Sequence, residues 1–410
     1  MRKYYLVLFM LVLSYTIFSC EDYVTDIDPM IDAVQDERLD TESQIPFLIT
    51  GVKYQFSIVQ DRLYVIADGL SDAFMFDTEV PNATYESFGQ VDRGEILLDN
   101  ASSGNPFNNN GELRFFADDL IRRVNTITFD DQALKEEALF TGNLYGGIAR
   151  YYYASYFGLN PTEGGATIDN SAFIASADMY DLAIERFTEA LSHTTDAYEI
   201  KVVHSLIARA YLYKGDNASA NTHIEQGLVN GDAPFQSLHN VDSDNYWWQQ
   251  AGALRPQFIP EWRFVDLVAA EPQEANRIIL EMVVESDGTP VVDTETGCTF
   301  YYQNIYGEES PLNHISWQEC NLIKAELAIQ GVGGGDALAL VNEERASHSI
   351  DPLAAMATIE DLLLERDKEL FTTAARVIDQ RRYDMWHLAA GTWQYFPVSE
   401  NERNNNPNID

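Results

Sequence analysis

Polar and apolar positions repeat along most of the chain with the period of an α-helix. Apolar side chains recur every three or four residues from Ile45 to Ile66, which predicts one long helix. The same spacing predicts further helices at 112–126, 132–157, 175–193 and 197–214. Because these helices come in closely spaced pairs, we expect a mostly α fold built from packed helical pairs.

Two segments add the residue spacing of a tetratricopeptide repeat, in which small side chains let two helices approach closely. The matching positions are Leu206, Ala210, Tyr211, Gly215, Asp216 and Ala220 in the first segment, and Leu322, Ala325, Leu327, Gly331 and Ala337 in the second. The two segments lie far apart in the sequence. This interruption predicts a tetratricopeptide-like scaffold of helical pairs rather than a continuous solenoid.

Long stretches between the helices lose this periodicity. Residues 77–110 are rich in Pro, Asn, Gly and Ser, which predicts an irregular surface loop. Further on, two runs of strand-forming residues flank Asp287 and Gly288, a pattern typical of a small β-hairpin. Since long surface loops often carry function, we expect loop-rich ligand-binding insertions at about 71–110 and 232–313.

The first residues form a separate region. Arg2 and Lys3 precede an apolar stretch at 4–18 that is too short for an ordinary spanning helix and is typical of an export signal. The stretch leads to Cys20 in a pattern that resembles the lipobox of bacterial lipoproteins. We therefore predict that residues 1–19 are a signal peptide and that Cys20 is lipidated. A plain secretory signal followed by an incidental cysteine is the alternative.

Acidic residues are frequent directly after Cys20. The segment 20–40 is predicted to be an acidic tether, and a single helical domain is predicted at 41–410. Over the whole sequence, 65 acidic residues outnumber 26 basic ones, which gives a net charge of -39. Such a chain repels polyanions, so nucleic acid is not expected as a partner.

The sequence contains none of the common catalytic motifs. It has no GxSxG, HExxH, Walker A or CxxC pattern, and its seven histidines are scattered. We therefore expect no cofactor and no metal site, and the absence of motifs is consistent with a protein that has no enzymatic activity. A glycosidase dyad stays open as an alternative, because 65 carboxylates produce many chance pairs. Cys298 and Cys320 can form a disulfide or remain free.

The stretch from 358 to 388 combines charges with an apolar framework. Thr358, with Asp361 at the capping-box distance, predicts a helix N-terminus. The charges further along this helix are expected to form a buried or half-buried ion-pair network with the next helix. The predicted network consists of Glu365, Arg366 and Glu369 on the first helix, and Arg376, Asp379, Arg381 and Arg382 on the second.

The lipobox, the long first helix, the tetratricopeptide-like pairs and three later segments together resemble the SusD/RagB family of outer-membrane lipoproteins. The three segments are LIKAELAIQG with ALALVNEERA, LLLERDKELF with ARVIDQRRYDMW, and the terminal FPVSENERNNNPN. The sequence departs from the family pattern at Thr373-Ala374-Ala375, where the family has glutamate and glycine, and at Tyr383, where tryptophan is usual. The resemblance spans nearly the whole chain.

This resemblance implies a non-catalytic protein that is lipid-anchored to the outer membrane and faces the cell exterior. Family members bind glycans, or in some cases peptides, and act as a lid over a TonB-dependent SusC-like barrel that imports the ligand. The acidic composition favours a neutral glycan. A peptide-binding uptake protein, a surface glycoside hydrolase and a helical scaffold that binds only proteins are the alternatives.

Glycan capture requires aromatic faces that stack on sugar rings, with amides, carboxylates or arginines at the sugar hydroxyls. The first-choice stretch is NYWWQQ, in which one of the two adjacent tryptophans is expected to be core because adjacent side chains diverge. The loop at 71–110 is the second choice and FYYQNIYGEE the third. The candidate ligand-binding residues, in this order, are Asn245, Tyr246, Trp247, Trp248, Asp72, Phe74, Tyr85 and Tyr301.

Overall fold

The computed structural model describes residues 36–356 and 358–409. The predicted signal peptide, Cys20 and most of the predicted tether lie outside these residues. Within them, α-helices dominate and the strands are short, so the predicted mostly α fold is confirmed. None of the described helices is both long and apolar enough to cross a membrane.

Fourteen α-helices are present in the described residues. They are α1 (Ile45–Leu70), α2 (Glu86–Asp92), α3 (Ala101–Val124), α4 (Gln132–Tyr156), α5 (Ser176–Leu191), α6 (Ala197–Lys214), α7 (Asn217–Ile224), α8 (Tyr246–Gln250), α9 (Trp262–Ala270), α10 (Trp317–Ile329), α11 (Ala337–Ser347), α12 (Ile359–Glu369), α13 (Ala375–Arg382) and α14 (Glu400–Asn405). Short 3-10 helices lie at Asp36–Leu39, Glu42–Gln44 and Pro272–Asn276. The long helices α1, α3 and α4 pack against one another.

The helices predicted from periodicity are found near their predicted bounds as α1 and α4 to α6, and the helix predicted at 112–126 is the second half of α3. Both tetratricopeptide-like pairs are also present, as α6 with α7 and α10 with α11. Between α6 and α7 the chain turns at Gly215, whose φ of +90° is unfavourable for residues with a side chain. Asp216 then caps α7 by accepting the N–H of Ser219 at 3.0 Å.

The prediction of an irregular loop at 77–110 is wrong, because α2 lies within this segment and α3 begins before its end. The side chain of Asn100 caps α3 by accepting the N–H of Ser103 at 3.1 Å. Asn110 is fully buried, and its amide donates to the carbonyl of Ala149 on α4 at 2.9 Å. Packing against α4 therefore outweighs the weak helix propensity of a segment rich in Asn, Gly and Ser.

Short strands form four small sheets among the described residues. The strands are β1 (Phe74–Met75), β2 (Phe157–Asn160), β3 (Glu163–Ala166), β4 (Ile174–Ala175), β5 (Phe235–Ser237), β6 (Ile259–Pro260), β7 (Leu280–Met282), β8 (Tyr301–Gln303), β9 (Leu312–Ile315) and β10 (Phe396–Pro397). β1 pairs with β6, β5 with β9 and β7 with β8, all antiparallel. The fourth sheet has the order β10-β2-β3-β4, with β10 parallel to β2. The β1–β6 pairing brings the end of α1 next to the start of α9.

The hairpin predicted around Asp287 and Gly288 is confirmed. Gly288 has a φ of +86°, and the N–H of Glu285 donates to the carbonyl of Thr289 at 2.8 Å. The preceding strand β7 also pairs with β8. The hairpin is therefore part of a small antiparallel sheet within the predicted insertion at 232–313.

Aromatic side chains fill the core between α1, α4 and β9. The hydroxyls of Tyr64 and Tyr152 lie 3.1 and 3.2 Å from Nδ1 of His314, and all three side chains are buried. Much of the aromatic content of the sequence therefore serves packing. Cys298 and Cys320 are both free, so the disulfide that the sequence left open does not form.

The helix N-terminus predicted at Thr358 is confirmed. Thr358 Oγ1 accepts the N–H of Asp361 at 3.3 Å, and Asp361 Oδ2 accepts the N–H of Thr358 at 3.1 Å, which makes a capping box on α12. The predicted link from α12 to α13 is present as well, since Arg366 Nε lies 2.7 Å from Asp379 Oδ2. Both of these charged side chains are buried.

Glu365 and Glu369 have partners that the sequence analysis did not predict. Neighbouring helix positions point about 100° apart, so Glu365 faces a different side of α12 from Arg366. On that side lie α11 and the segment after the Pro272–Asn276 helix, which supply arginines at 2.8–3.0 Å from Glu365. We call this cluster the charged network, and it comprises Arg277, Arg345, Lys368, Glu271, Glu274, Glu344, Glu365 and Glu369.

Of the remaining predicted members, Arg382 pairs with Asp379 at 3.0 Å, whereas Arg376 and Arg381 have other main partners. Arg376 Nε donates to Asp72 at 2.5 Å, which ties α13 to the end of α1. Arg381 donates to the backbone carbonyls of Gln394 and Ser155. These contacts join segments that are distant in the sequence, so periodicity within α12 and α13 carried no signal for them.

Candidate functional site

Asn245, one of the first-choice residues, holds α8 in place. Its Oδ1 accepts the N–H of Trp247 at 2.8 Å, and its amide donates to the carbonyl of Ser310 at 2.8 Å. The side chain is fully buried. Contrary to the prediction of a ligand contact, Asn245 therefore acts as a helix cap that does not face solvent.

The two adjacent tryptophans diverge, as the sequence analysis expected. Trp247 is fully buried, with its ring centroid 5.0 Å from that of Phe74 and 6.4 Å from that of Tyr306. Trp247 and Phe74 are therefore core residues, contrary to their selection as ligand contacts, because their rings pack on each other away from solvent. Trp248 is half-buried and keeps part of its ring at the surface.

Tyr246 lines a surface cavity of about 280 Å³. Arg62 of α1 and the first residues of α3 line the rest of it, and the Arg62 guanidinium lies 6.0 Å from the centroid of the Tyr246 ring. The cavity therefore offers one aromatic face together with guanidinium, hydroxyl and amide groups. We call it the tyrosine pocket, and it is lined by Arg62, Ala101, Ser102, Asn105, Pro106 and Tyr246.

Asp61 fixes the backbone at Tyr246. Its buried carboxylate accepts the N–H of Tyr246 at 3.0 Å, and His239 Nδ1 lies 3.6 Å away. Burial raises the pKa of Asp61 to about 8, although the Tyr246 N–H and the charge of Arg62 act to lower it. Burial also raises the pKa of Tyr246 to about 12, so its phenol stays neutral and can both donate and accept hydrogen bonds.

Tyr85 and Arg255 form a second aromatic group. The Arg255 guanidinium lies 4.2 Å from the centroid of the Tyr85 ring and donates to the Tyr85 hydroxyl at 2.5 Å. Tyr85 is 40% exposed, so its ring is accessible to a ligand. The hydroxyl of Ser87 on α2 lies 2.8 Å from that of Ser102, which links this group to the tyrosine pocket.

Asp72 lies in a different cavity, of about 400 Å³. Burial acts to raise its pKa, but Arg376 at 2.5 Å and Arg263 at 3.3 Å outweigh it and lower the pKa of Asp72. Burial raises the pKa of Asp92 in the same cavity to about 6. We call this cavity the acidic pocket, and its titratable lining consists of Asp72, Asp77, Asp92, Glu261, Asp293, Glu295 and His387.

The predicted residues therefore fall into separate places. Tyr246 lines the tyrosine pocket, and Tyr85 directly precedes α2, whose Ser87 hydroxyl lies 2.8 Å from that of Ser102 in the pocket. Asp72 belongs to the acidic pocket, and Tyr301 is half-buried on β8. Of the sequence candidates, Tyr246 lines the tyrosine pocket and Tyr85 is connected to it through α2.

Sequence reasoning missed Arg62, Arg255 and the start of α3. Arg62 left a signal, because it places a charge within the apolar stripe of α1. Arg255 left none, since its contact with Tyr85 joins segments 170 residues apart. Ser102 and Asn105 were within the segment expected to be a binding loop, but their position at the start of a helix was not predicted.

No protein-family model and no curated protein matches this sequence. Solved structures do match. A SusD superfamily protein from Bacteroides thetaiotaomicron aligns with a TM-score of 0.73 and 14% identity, over 90% of this chain and 99% of its own. A laminarin-binding SusD-like protein aligns with a TM-score of 0.69 and 14% identity, over 90% and 98%. Surface glycan-binding protein A from Bacteroides thetaiotaomicron, in complex with laminarihexaose, aligns with a TM-score of 0.65 and 12% identity, over 90% and 99%.

Proposed function

Because this chain has the fold of the SusD superfamily, we propose that it is a glycan-binding protein and that the tyrosine pocket is its binding site. Proteins with the same fold include one described as laminarin-binding and one solved with laminarihexaose. The observation that supports the site is the half-buried ring of Tyr246, which lines an open cavity with Arg62 at 6.0 Å. A sugar ring has apolar C–H faces and polar edges, so it requires both kinds of group.

Three residues of the pocket and the nearby Tyr85 have a role in this proposal. The Tyr246 ring stacks on one sugar face, while Arg62 and Asn105 donate hydrogen bonds to hydroxyls at the sugar edge. Tyr85 provides a second stacking face for a neighbouring sugar of the same chain. The net charge of -39 favours a neutral glycan, because an acidic one must approach against the field of the whole protein.

The proposal extends to the place of this binding in the cell. We propose that Cys20 carries the lipid and that the protein stands on the outer face of the outer membrane. There it captures an oligosaccharide or polysaccharide without cleaving it and delivers it to a TonB-dependent SusC-like transporter, over which it acts as a lid. A ligand that binds the closed lid more tightly shifts the lid toward closure. Uptake of peptides by the same arrangement is the alternative.

Calorimetric titration of the purified protein against neutral polysaccharides, acidic glycans and peptides tests this function. We expect saturable binding to a neutral glycan and an affinity at least about tenfold lower in Tyr246→Ala, a loss of ~1.4 kcal/mol. Tyr54→Ala is the matched control, since Tyr54 is an exposed tyrosine that lines a different cavity. It is expected to bind like the wild type.

Other outcomes would redirect the proposal. Binding to peptides alone would support the peptide-uptake alternative. Glycan binding that is equal in Tyr246→Ala and the wild type would move the site away from the tyrosine pocket. Co-purification of a barrel-sized partner from membranes, or its absence, tests the delivery step separately from binding.

The acidic pocket supports a second candidate function, a surface glycoside hydrolase. Such enzymes pair a carboxyl group of raised pKa with an ionised carboxylate. Burial raises the pKa of Asp92 to about 6, and the pKa of Asp72 in the same pocket is lowered. Release of reducing sugars from a bound polysaccharide, abolished in Asp92→Asn, would favour this function. Glycan binding without any release would favour capture.

A further inference from the structure

Three side chains that are unrelated to the tyrosine pocket meet where α11 and α12 pack together. Glu344 and His348 lie one helical turn apart, at and just beyond the end of α11, and Glu369 ends α12. His348 Nε2 lies 2.9 Å from Glu369 Oε2 and 3.8 Å from Glu344 Oε1. One ligand atom from each of the three lies within 4.8 Å of the others.

Glu344 Oε2 and His348 Nε2 are buried and have no guanidinium, ammonium or backbone N–H against them among the described residues. Their neighbours are carboxyl oxygens, since His348 Nε2 lies 2.9 Å from Glu369 Oε2 and the Glu344 and Glu369 carboxyl groups interact directly. Carboxylate oxygens only accept hydrogen bonds, so each of these contacts requires a proton between its two atoms. The group therefore has the capacity to exchange these protons for a cation that accepts electron pairs from the same atoms.

Glu344 and Glu369 also have few positively charged neighbours. Arg345 and Lys368 bind other members of the charged network, and Arg277 is the basic residue that contacts both Glu344 and Glu369. Its Nη1 lies 2.8 Å from Glu344 Oε1 and 3.5 Å from Glu369 Oε2. One guanidinium thus holds two carboxyl groups in place and does not reach the second oxygen of Glu344.

We infer that Glu344, His348 and Glu369 form a binding site for a divalent transition-metal cation of the zinc type. Ligand atoms about 2.1 Å from such a cation lie about 3–4 Å from one another, which matches the 2.9 and 3.8 Å separations. One imidazole with two carboxylates suits Zn²⁺ and its neighbours, whereas Ca²⁺ prefers oxygen ligands alone. The His348 side chain is 23% exposed and gives the cation a path from solvent.

The consequence of this site is structural. A bound cation connects α11 to the end of α12 and adds to the links that Arg277 and the Arg345–Glu365 pair make between them. The sequence analysis expected no metal site, because a Glu and a His four residues apart carry little signal without the third ligand. Glu369 lies far along the chain and reaches the pair through tertiary packing.

Calorimetric titration of the chelator-treated full chain with Zn²⁺, and separately with Ca²⁺, tests the site. We expect one Zn²⁺ to bind per chain, with a higher melting temperature in its presence and far weaker binding of Ca²⁺. His348→Ala is expected to lower the Zn²⁺ affinity at least about tenfold. His193→Ala is the matched control, because His193 is partly exposed and contacts Glu136 and Glu189 but is expected to leave Zn²⁺ binding unchanged.

Three results would overturn the site. The first is that the wild type does not bind Zn²⁺ even at a millimolar Zn²⁺ concentration. The second is that His348→Ala binds Zn²⁺ as tightly as the wild type. The third is that binding is lost in His204→Ala and not in His348→Ala. His204 is included because its Nδ1 lies 2.9 Å from that of His223, so these two histidines could bind a metal ion instead. Circular dichroism of each variant confirms that binding is compared between folded proteins.

Discussion

The charged network and the tyrosine pocket use arginine in opposite ways. In the network, the side chains of Arg277 and Arg345 are 2% and 1% exposed and bind glutamates at short distance. At the pocket, Arg62 and Arg255 are half-buried, and each lies over a tyrosine ring. The first pair is committed to protein partners, whereas the second pair keeps donors within reach of solvent.

This difference shows why charge alone does not locate a binding site. The densest run of charges in the sequence is residues 365–369 at the end of α12, and its side chains lie in the interior and stabilise the fold. A buried charged side chain with its hydrogen bonds satisfied inside the protein stabilises or specifies structure. A half-buried side chain beside an aromatic ring and an open cavity remains available for a ligand. Substitutions in the charged network should therefore lower stability, whereas substitutions at the tyrosine pocket should lower ligand affinity.

The largest stability effect is expected from Arg345→Met in the charged network. Arg345 donates to Glu274 at 3.2 Å and to Glu365 at 3.0 Å, and its removal takes one of three cationic partners from each of these buried carboxylates. Such a loss costs about 3–5 kcal/mol of unfolding free energy, measured by chemical denaturation. Arg122→Met at the half-exposed pair with Asp119 is the control, at about 1 kcal/mol or less. Equal losses in both variants would contradict the structural role of the network.

A loss of similar size is expected from Trp247→Ala, for a different reason. Trp247 is fully buried against Phe74, so its truncation leaves a cavity and costs about 3–5 kcal/mol. Trp248→Ala, one residue further along, is expected to cost clearly less because Trp248 is half-buried. Thermal and chemical unfolding of both variants measure the difference. Equal stabilities would mean that Trp247 is not a core residue.

The different burial of Trp247 and Trp248 illustrates what could and could not be predicted from the sequence. Periodicity located α1, α4, α5 and α6, because an amphipathic stripe records which face is buried. It located the second half of α3 and missed the first half at 101–111, where Asn, Gly and Ser form a helix through packing on α4. The NYWWQQ stretch predicted that one tryptophan is core, but a five-residue helix has too few positions to show which one. Arg255, Glu369 and the partners of Glu365 come from distant segments, so no local pattern could predict them.

A smaller effect is expected from pH at the edge of the tyrosine pocket. Burial raises the pKa of Asp61 from 3.8 to about 8, with Arg62 and the Tyr246 N–H opposing and Asp244 adding to the rise. The folded state thus favours the neutral acid. The stability that this group contributes is present below pH 3.8 and is lost as the pH rises through about 8.

Denaturation at pH 6 and pH 7 measures this loss, which is at most about 1.4 kcal/mol per pH unit from this group. Asp61→Asn stays neutral and keeps an oxygen that can accept the Tyr246 N–H. Its unfolding free energy is therefore expected to fall less with pH than that of the wild type. If the two proteins show the same slope, Asp61 is ionised in the folded state across this range.

The smallest effect is expected from Tyr85→Phe. This variant tests whether the exposed Tyr85 binds the ligand through its aromatic ring. The variant loses the hydrogen bond from Arg255 to the hydroxyl but keeps the ring, and Arg255 still donates to Thr84 Oγ1 at 2.8 Å. One hydrogen bond contributes about 0.5–1.5 kcal/mol, and a partner that stays solvated costs toward the lower end. We therefore expect glycan affinity to fall less than about fivefold in Tyr85→Phe and about tenfold in Tyr85→Ala, measured by calorimetry. Equal losses in the two variants would show that the hydroxyl, rather than the ring, contacts the ligand. Tyr85 would then act as a hydrogen-bonding group and not as a stacking surface.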